Sequence, residues 1–426
     1  MKVRKMAALL IATGMAASLI LAGCSQNSGS ASGGAQTITI WKPDDTNTNA
    51  TFKGFINQFN EKYKGKYTAK LTLIPRGNGY EYENKISAAA SANNAPDVLM
   101  MDGPSVANYA ANNIISPLDS HFSKSELSDF VPSIITQGTY NNKLYALGAE
   151  ESDVALFYNK TMMDSIGVQP PTTMDKAWTW QDVYDVAKKL TKNDVYGIDL
   201  SWDLGEGQIY GFAPVIWSAG SELISKDGKT ADGYVNSTKA VNALTFLQKF
   251  ATEKLYNIQA GQKDFETGKA AMYLCGTWEI TTLKDYPDIK WGVTYYPSNP
   301  DTKKTVAPSG TWCWGVSQQS KDKQGAADVI KMLTSAEDIK ALVGVSNNPP
   351  ARKSVFDAIS QYSTYPYNII KDQVINAAHP RPLTTSYPVL SQQFSSAMQD
   401  IFKGSAAKPE LDKVAQAYDN DIKMNK

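Results

Sequence analysis

Residues Gln36 to Trp41, QTITIW, alternate apolar Ile38 and Ile40 with threonines, the period of a half-buried strand. After the polar loop KPDDTNTN, the residues Phe52, Phe55, Ile56, Phe59 and Tyr63 recur at helical spacing. Tyr67, Ala69, Leu71 and Leu73 alternate again as a second strand, which Pro75 stops. A short helix is expected from Glu83 to Ala92, then a compact apolar strand, DVLMM, from Asp97 to Met101. Strand, helix, strand, helix, strand at these lengths predicts a βαβαβ unit, hence a parallel sheet with helices on both faces. Ligands of such sheets bind beyond the carboxyl ends of the strands. The loops after Trp41 and after Met101 lie there.

A second α/β pattern follows. Thr179 is placed to cap a helix whose inner face is Val183, Val186, Ala187 and Leu190. Ser237 opens another, with Val241, Leu244, Leu247 and Phe250 inward, and Ala326 to Leu333 makes a further one. Ser335 with Asp338 resembles a capping box for the next helix. No internal repeat interrupts this. The pattern reads as two α/β lobes rather than a string of modules.

The first residues read differently. Lys2, Arg4 and Lys5 precede a nearly uncharged apolar run from Met6 to Leu21, the outline of a secretory signal peptide. A membrane anchor would need roughly 20 apolar residues; this run is shorter and is broken by Thr13 and Gly14. It ends in Leu21-Ala22-Gly23-Cys24, which resembles a bacterial lipoprotein lipobox. The resemblance implies that Cys24 becomes the first mature residue and carries lipid on its sulfur. Two or more acyl chains give stable attachment where one gives marginal binding. Ser25 to Gln36 is then a Gly/Ser tether with a mean reach of about 20 Å. The expected location is the outer face of the bacterial cell membrane, on the periplasmic side where an outer membrane exists.

Charge narrows the partners. Lysine plus arginine and aspartate plus glutamate stand at 42 each, so the basic excess of a nucleic-acid surface is missing. The two histidines, His121 and His379, are far apart, and no His/Cys cluster has metal-ligand spacing. No cofactor and no metal are expected. Aromatics are plentiful, at 22 Tyr, 13 Phe and 9 Trp.

Several stretches together carry a family resemblance. SAAASANNAPDVLMMD, the long run from NNKLYALGAEESDVALFYNK to TTMDKAWTWQDV, FETGKAAMYLCGTWE, SGTWCWGVSQQSKDKQGAADVIKMLTSAE and NNPPARKSV occur in the expected order across residues 37 to 404. They resemble segments of the maltose-binding-protein-like extracellular solute-binding proteins of sugar ABC transporters. Cys275 and Cys313 depart from two of these motifs, and PPTTMDKAWTW is longer than the usual link. The resemblance implies an α/β, two-lobe periplasmic-binding-protein-like fold with a ligand cleft and hinge between the lobes. The chain would divide into a signal peptide (1–23), a lipidated cysteine and tether (24–36), an N-terminal lobe (37–150 plus 309–366) and a C-terminal lobe (151–308 plus 367–426). It implies a lipid-anchored, monomeric, non-enzymatic receptor that delivers a mono- or oligosaccharide to the permease subunits of an ABC importer.

A sugar ligand, as the resemblance implies, presents flat C–H patches to aromatic rings and a belt of hydroxyls to carboxylates, amides and arginines. One stack removing about 100 Å² of apolar area from water is worth roughly 2–3 kcal/mol. The candidate ligand contacts are these. Trp41, Asp44 and Asp45 end the first strand; alternatively the tryptophan packs in the core and the aspartates cap the next helix. Asp102 ends the third strand, as ligand contact or as a turn former before Gly103. Trp278 in GTWE aligns with a sugar-stacking tryptophan of the family, and Trp217 in VIWSAG has a weaker claim. Trp312 and Trp314 flank Cys313, with at least one facing the cleft. Glu150 and Glu151 fall near the family's hinge. Arg352 and Arg381 match late family arginines, with a structural ion pair as the alternative. Trp178, Trp180 and Trp291 read as structural. With Cys24 lipidated, Cys275 and Cys313 either pair outside the cell or stay as inert thiols.

A secreted glycoside hydrolase is the competing reading. It needs two facing carboxylates about 5 to 9.5 Å apart. Glu150 with Asp102, or Asp45 with Glu151, are the nominees, and nothing in their spacing singles them out. No G-x-S-x-G, H-E-x-x-H, Walker A or GxGxxG motif is present.

Overall fold

The computed structural model describes residues 34–76, 80–202, 205–259 and 263–424. Cys24 and the leader before it lie outside the described residues. The opening alternation forms β1 (Gln36–Pro43), followed by α1 (Asn49–Lys62), β2 (Tyr67–Ile74), α2 (Glu81–Ser91), β3 (Val98–Asp102) and α3 (Ser105–Ala111). The apolar stripe drives α1: Phe52, Phe55, Ile56 and Phe59 are its buried face. β1 pairs in parallel with β2 and with β3, the arrangement the periodicity predicts. Two short strands, β4 (Ile115–Ser116) and β5 (Ala146–Gly148), complete this part of the chain.

The chain then crosses to a second sheet. Its strands are β6 (Val154–Asn159), β7 (Met272–Gly276) and β8 (Trp291–Thr294), with β6 central and antiparallel to both neighbours. The helices α4 (Trp180–Leu190), α5 (Glu206–Ser218) and α6 (Thr238–Thr252) lie between β6 and β7 in sequence. Thr179 and Asp182 close a reciprocal capping box at the start of α4, and Ser237 accepts the Ala240 N–H at the start of α6. β9 (Trp312–Ser317) returns to the first sheet, antiparallel to β3, β4 and β5. α7 (Lys323–Leu333), α8 (Ala336–Ser346) and α9 (Tyr387–Phe402) follow. Ser335 accepts the Asp338 N–H, but the return half of that box is missing, because Asp338 Oδ2 has no partner.

The six-stranded and three-stranded sheets give two α/β lobes. The crossing segments pair with each other: Ser152 N–H donates to the Gly310 carbonyl at 2.6 Å, and Glu151 N–H to the Pro349 carbonyl at 2.7 Å. One face of the second sheet, Val154, Leu156 and Leu274, packs with α4, α5, α6 and α9. The other face, Phe157 and Val293, belongs to an apolar cluster that continues to Ile38 and Phe52 of the first sheet. The lobes thus share buried side chains on the side where the chain crosses.

Of the two alternatives for the cysteines, the structure has the unpaired thiols. Cys275 sits on β7, opposite Ala155, and Cys313 on β9, opposite Met101 and Gly148. They occupy different sheets, and both thiols are free and buried.

Candidate functional site

A cavity of ≈1010 Å³ opens at the carboxyl ends of β1, β2 and β3, bounded by the crossing segments and the start of α5. Its chemistry comes from chain ends that the parallel sheet delivers to one edge. Lys42, Asp44 and Asp45 leave β1, Arg76 leaves β2 and Asp102 ends β3, and all five line the cavity. The Lys42 ammonium donates to the Pro43 carbonyl at 2.9 Å and to Asn49 Oδ1 at 3.2 Å, and burial lowers its pKa. Asp45 accepts from the Asn47 N–H at 3.1 Å and the Thr48 hydroxyl at 2.5 Å; Asp44 accepts from Asn49 Nδ2 at 2.6 Å. Both aspartates therefore order the entry to α1 and line the cavity, joining the two alternatives.

Asp102 is not a turn former. It takes a bidentate pair of bonds from Arg381, Nη1 at 2.9 Å and Nη2 at 2.7 Å. Arg381 also binds the Glu206 carboxylate at the N-terminus of α5, where Tyr387 and Ser391 donate to the same group. The guanidinium lies 4.8 Å from the Tyr210 ring centre, and its Nε has no partner among the described residues. Three remote segments meet in this buried cluster, and all three ionic residues line the cavity.

The crossing segment supplies Glu150 and Glu151, which also line it. Glu150 accepts from Ser346, whereas Glu151 accepts from Ser133 and Gln137. Burial pushes both carboxyls up to about 7.

Aromatic side chains complete the walls. Trp278, 37% exposed, lies stacked at 6.2 Å on Tyr210 and edge-on at 6.3 Å to Trp202. On the other lobe, the Trp312 ring carries the Arg76 guanidinium at 5.1 Å. Trp312 reaches the cavity because its register partner is Asp102, the last residue of β3. Trp314, two residues inward, is buried against Phe52 of α1.

Three of the expected contacts lie elsewhere. Trp41 points away from Lys42 by strand alternation and packs beside Tyr82, with Lys85 Nζ 5.4 Å from its ring. Trp217 is 2% exposed and stacks at 4.1 Å on His379. It sits eleven residues past Glu206 on α5, about 16 Å along the helix at 1.5 Å per residue. Arg352 pairs with Asp129 at 3.2 Å, donates from Nε to the Thr334 carbonyl, and lies over Phe130. Sequence reasoning missed Lys42, Arg76, Trp202, Glu206 and Tyr210. Lys42 is the penultimate residue of β1 and Arg76 follows β2, so position at a carboxyl end was the signal available.

A family model for bacterial extracellular solute-binding proteins matches residues 54–368. The galactooligosaccharide-binding protein of Bacillus subtilis (strain 168) is 24% identical over 425 residues, covering 96% of this chain and 95% of its own length. Among solved structures, the GacH receptor of Streptomyces glaucescens, determined unliganded and with acarbose, is 24% identical. It superposes with a TM-score of 0.79, covering 91% of this chain and 99% of its own. A solute-binding protein from Thermotoga lettingae, bound to α-D-tagatose, is 23% identical with a TM-score of 0.79 over 91% of this chain and 100% of its own. These structural likenesses show a shared two-lobe fold.

Proposed function

The chain belongs to the bacterial extracellular solute-binding proteins, and from that premise we propose that it is the capture receptor of an ABC importer for an oligosaccharide. The observation that carries this reading is the pairing, across one cavity, of exposed indole on one lobe with indole and guanidinium on the other. Trp278 and Trp312 offer ring faces for sugar C–H patches, while Asp44, Asp45, Arg76 and Glu150 stand where hydroxyls would project. Two or three stacks of this kind, with charge-assisted hydrogen bonds, suffice for micromolar affinity, about −8 kcal/mol, after association costs. Relatives named for galacto- and arabino-oligosaccharides support the ligand class.

The hydrolase reading draws less support. Asp102 and Glu206 are both tied to Arg381, and the neighbours Glu150 and Glu151 bond to opposite partners, Ser346 and Ser133. None of these is a free acid facing a free base across the cavity. The receptor captures its sugar unaltered and passes it to membrane permease subunits.

The lobes divide near 150 and 309, and again near 366; Gln373, bonded to Asp153 and to the Val154 carbonyl, belongs with the second sheet. Lipid on Cys24 holds the monomer at the outer face of the membrane through its short tether. A thermal-shift screen over mono- and oligosaccharides, with product analysis, tests the function. A raised melting temperature without turnover is expected, and released product would overturn the receptor reading. Cys24→Ala should release the protein from cells into the medium.

A further inference from the structure

Beside the main cavity lies a second one of ≈250 Å³, enclosed by α2, α3 and the first turns of α9. It shares Arg76, Asp102 and Glu206 with the main cavity, so the two adjoin along the Arg381 cluster. Its outer rim, Asn84, Ser87 and Gln392, is exposed. Small-molecule sites begin at roughly 300 Å³, so this volume suits one ring rather than a chain.

Two residues lining it carry polar atoms that have no partner among the described residues. Tyr109 is 3% exposed, and its hydroxyl has no partner; neither does the enclosed Oε2 of Glu83. Buried polar groups are rarely left so, and each one unmade is costly. Tyr80 and Tyr387 also line the cavity, but their hydroxyls are tied to Ser391 and to Glu206. What those rings have left to offer is carbon surface. Aromatic carbon beside a free phenol and a free carboxyl oxygen is the surface that a hydroxyl-bearing ring complements.

We propose that this side cavity is a subsite for the terminal sugar ring of an oligosaccharide whose other rings lie in the main cavity, with the Tyr109 hydroxyl and Glu83 Oε2 bonding its hydroxyls. The inference rests on the oligosaccharide reading above. Burial pushes Glu83 up to about 7, so near neutral pH its carboxyl can either donate to or accept from a sugar hydroxyl.

The test is calorimetric titration of the full-length protein in detergent with malto-, galacto- and arabino-oligosaccharides of one to six units. For one of these series, affinity should climb about tenfold at the single length that fills the side cavity. Tyr109→Phe, which deletes only an unpartnered hydroxyl, should abolish that step without lowering the melting temperature. Ser87→Trp, at an exposed position on α2, should block it sterically. Trp278→Ala should weaken every length. A step that persists in both variants, or no step in the wild type, overturns the subsite and leaves the receptor standing. Failure of the wild type to bind any of the three series overturns the oligosaccharide reading and the subsite with it.

Discussion

Trp278 keeps more than a third of its surface open although Tyr210 and Trp202 hold its ring in place. An indole fixed at that exposure gains by being covered, and the gain is the affinity it contributes. Trp278→Ala should weaken the ligand found by screening about tenfold or more in titration calorimetry; unchanged affinity would remove it from the site. Glu151 behaves differently, because it is fully buried and its folded pKa of about 7 lies above the ordinary carboxylate value. Raised by burial, it holds its proton more tightly in the fold than in the unfolded chain. Its stabilising contribution is therefore complete at low pH and is lost as pH rises through about 7. Glu151→Gln should remove that slope, leaving the variant more stable than the wild type by up to about 3 kcal/mol at pH 8 relative to pH 4. Urea melts of both proteins at the two pH values give the difference, and a pH-independent gap would contradict the assignment.

Two glycines shape the aromatic wall. A Cβ on Gly276, the last residue of β7, would lie 2.1 Å from the Trp278 ring, and one on Gly211 in α5 would lie 2.4 Å from Trp202. Neither position has room for a methyl group, so strand and helix each leave a gap that an indole fills. Gly276→Ala should displace Trp278 and reduce sugar affinity about as much as removing the ring, with circular dichroism unchanged. The elements themselves were largely legible: β1 to β3 with α1 and α2 are short-range patterns, and so are the caps at Thr179 and Ser237. Side chains facing away from a local stripe were harder to place. Trp217 misled because α5 is buried from Gln208 to Ser218, so its sequence marks no outer face. Alternation puts Trp312 and Trp314 on one strand face, yet at the sheet edge, opposite Asp102, Trp312 packs beside Tyr82 while Trp314 packs on Phe52. The Arg381 cluster joins residues nearly three hundred positions apart, a pairing that no periodicity encodes.

At the scale of the molecule, that cluster ties the end of the first sheet, the start of α5 and the approach to α9 into one ionic junction. Its two carboxylates depend on one cation. Arg381→Met should cost about 3–5 kcal/mol of stability, since Asp102 and Glu206 would remain as buried anions without a counter-charge. Adding Asp102→Asn and Glu206→Gln should recover much of that loss in the same denaturation assay, and no recovery would show that shape rather than charge is what Arg381 supplies. The setting of Trp278 has a further consequence for light. Indole emission moves to shorter wavelengths as water leaves its ring, and Trp180 and Trp314, 2% and 0% exposed, are already dry. Titrated sugar should therefore blue-shift the difference spectrum between the wild type and Trp278→Ala. The molecule carries its own optical gauge of occupancy, readable without a label.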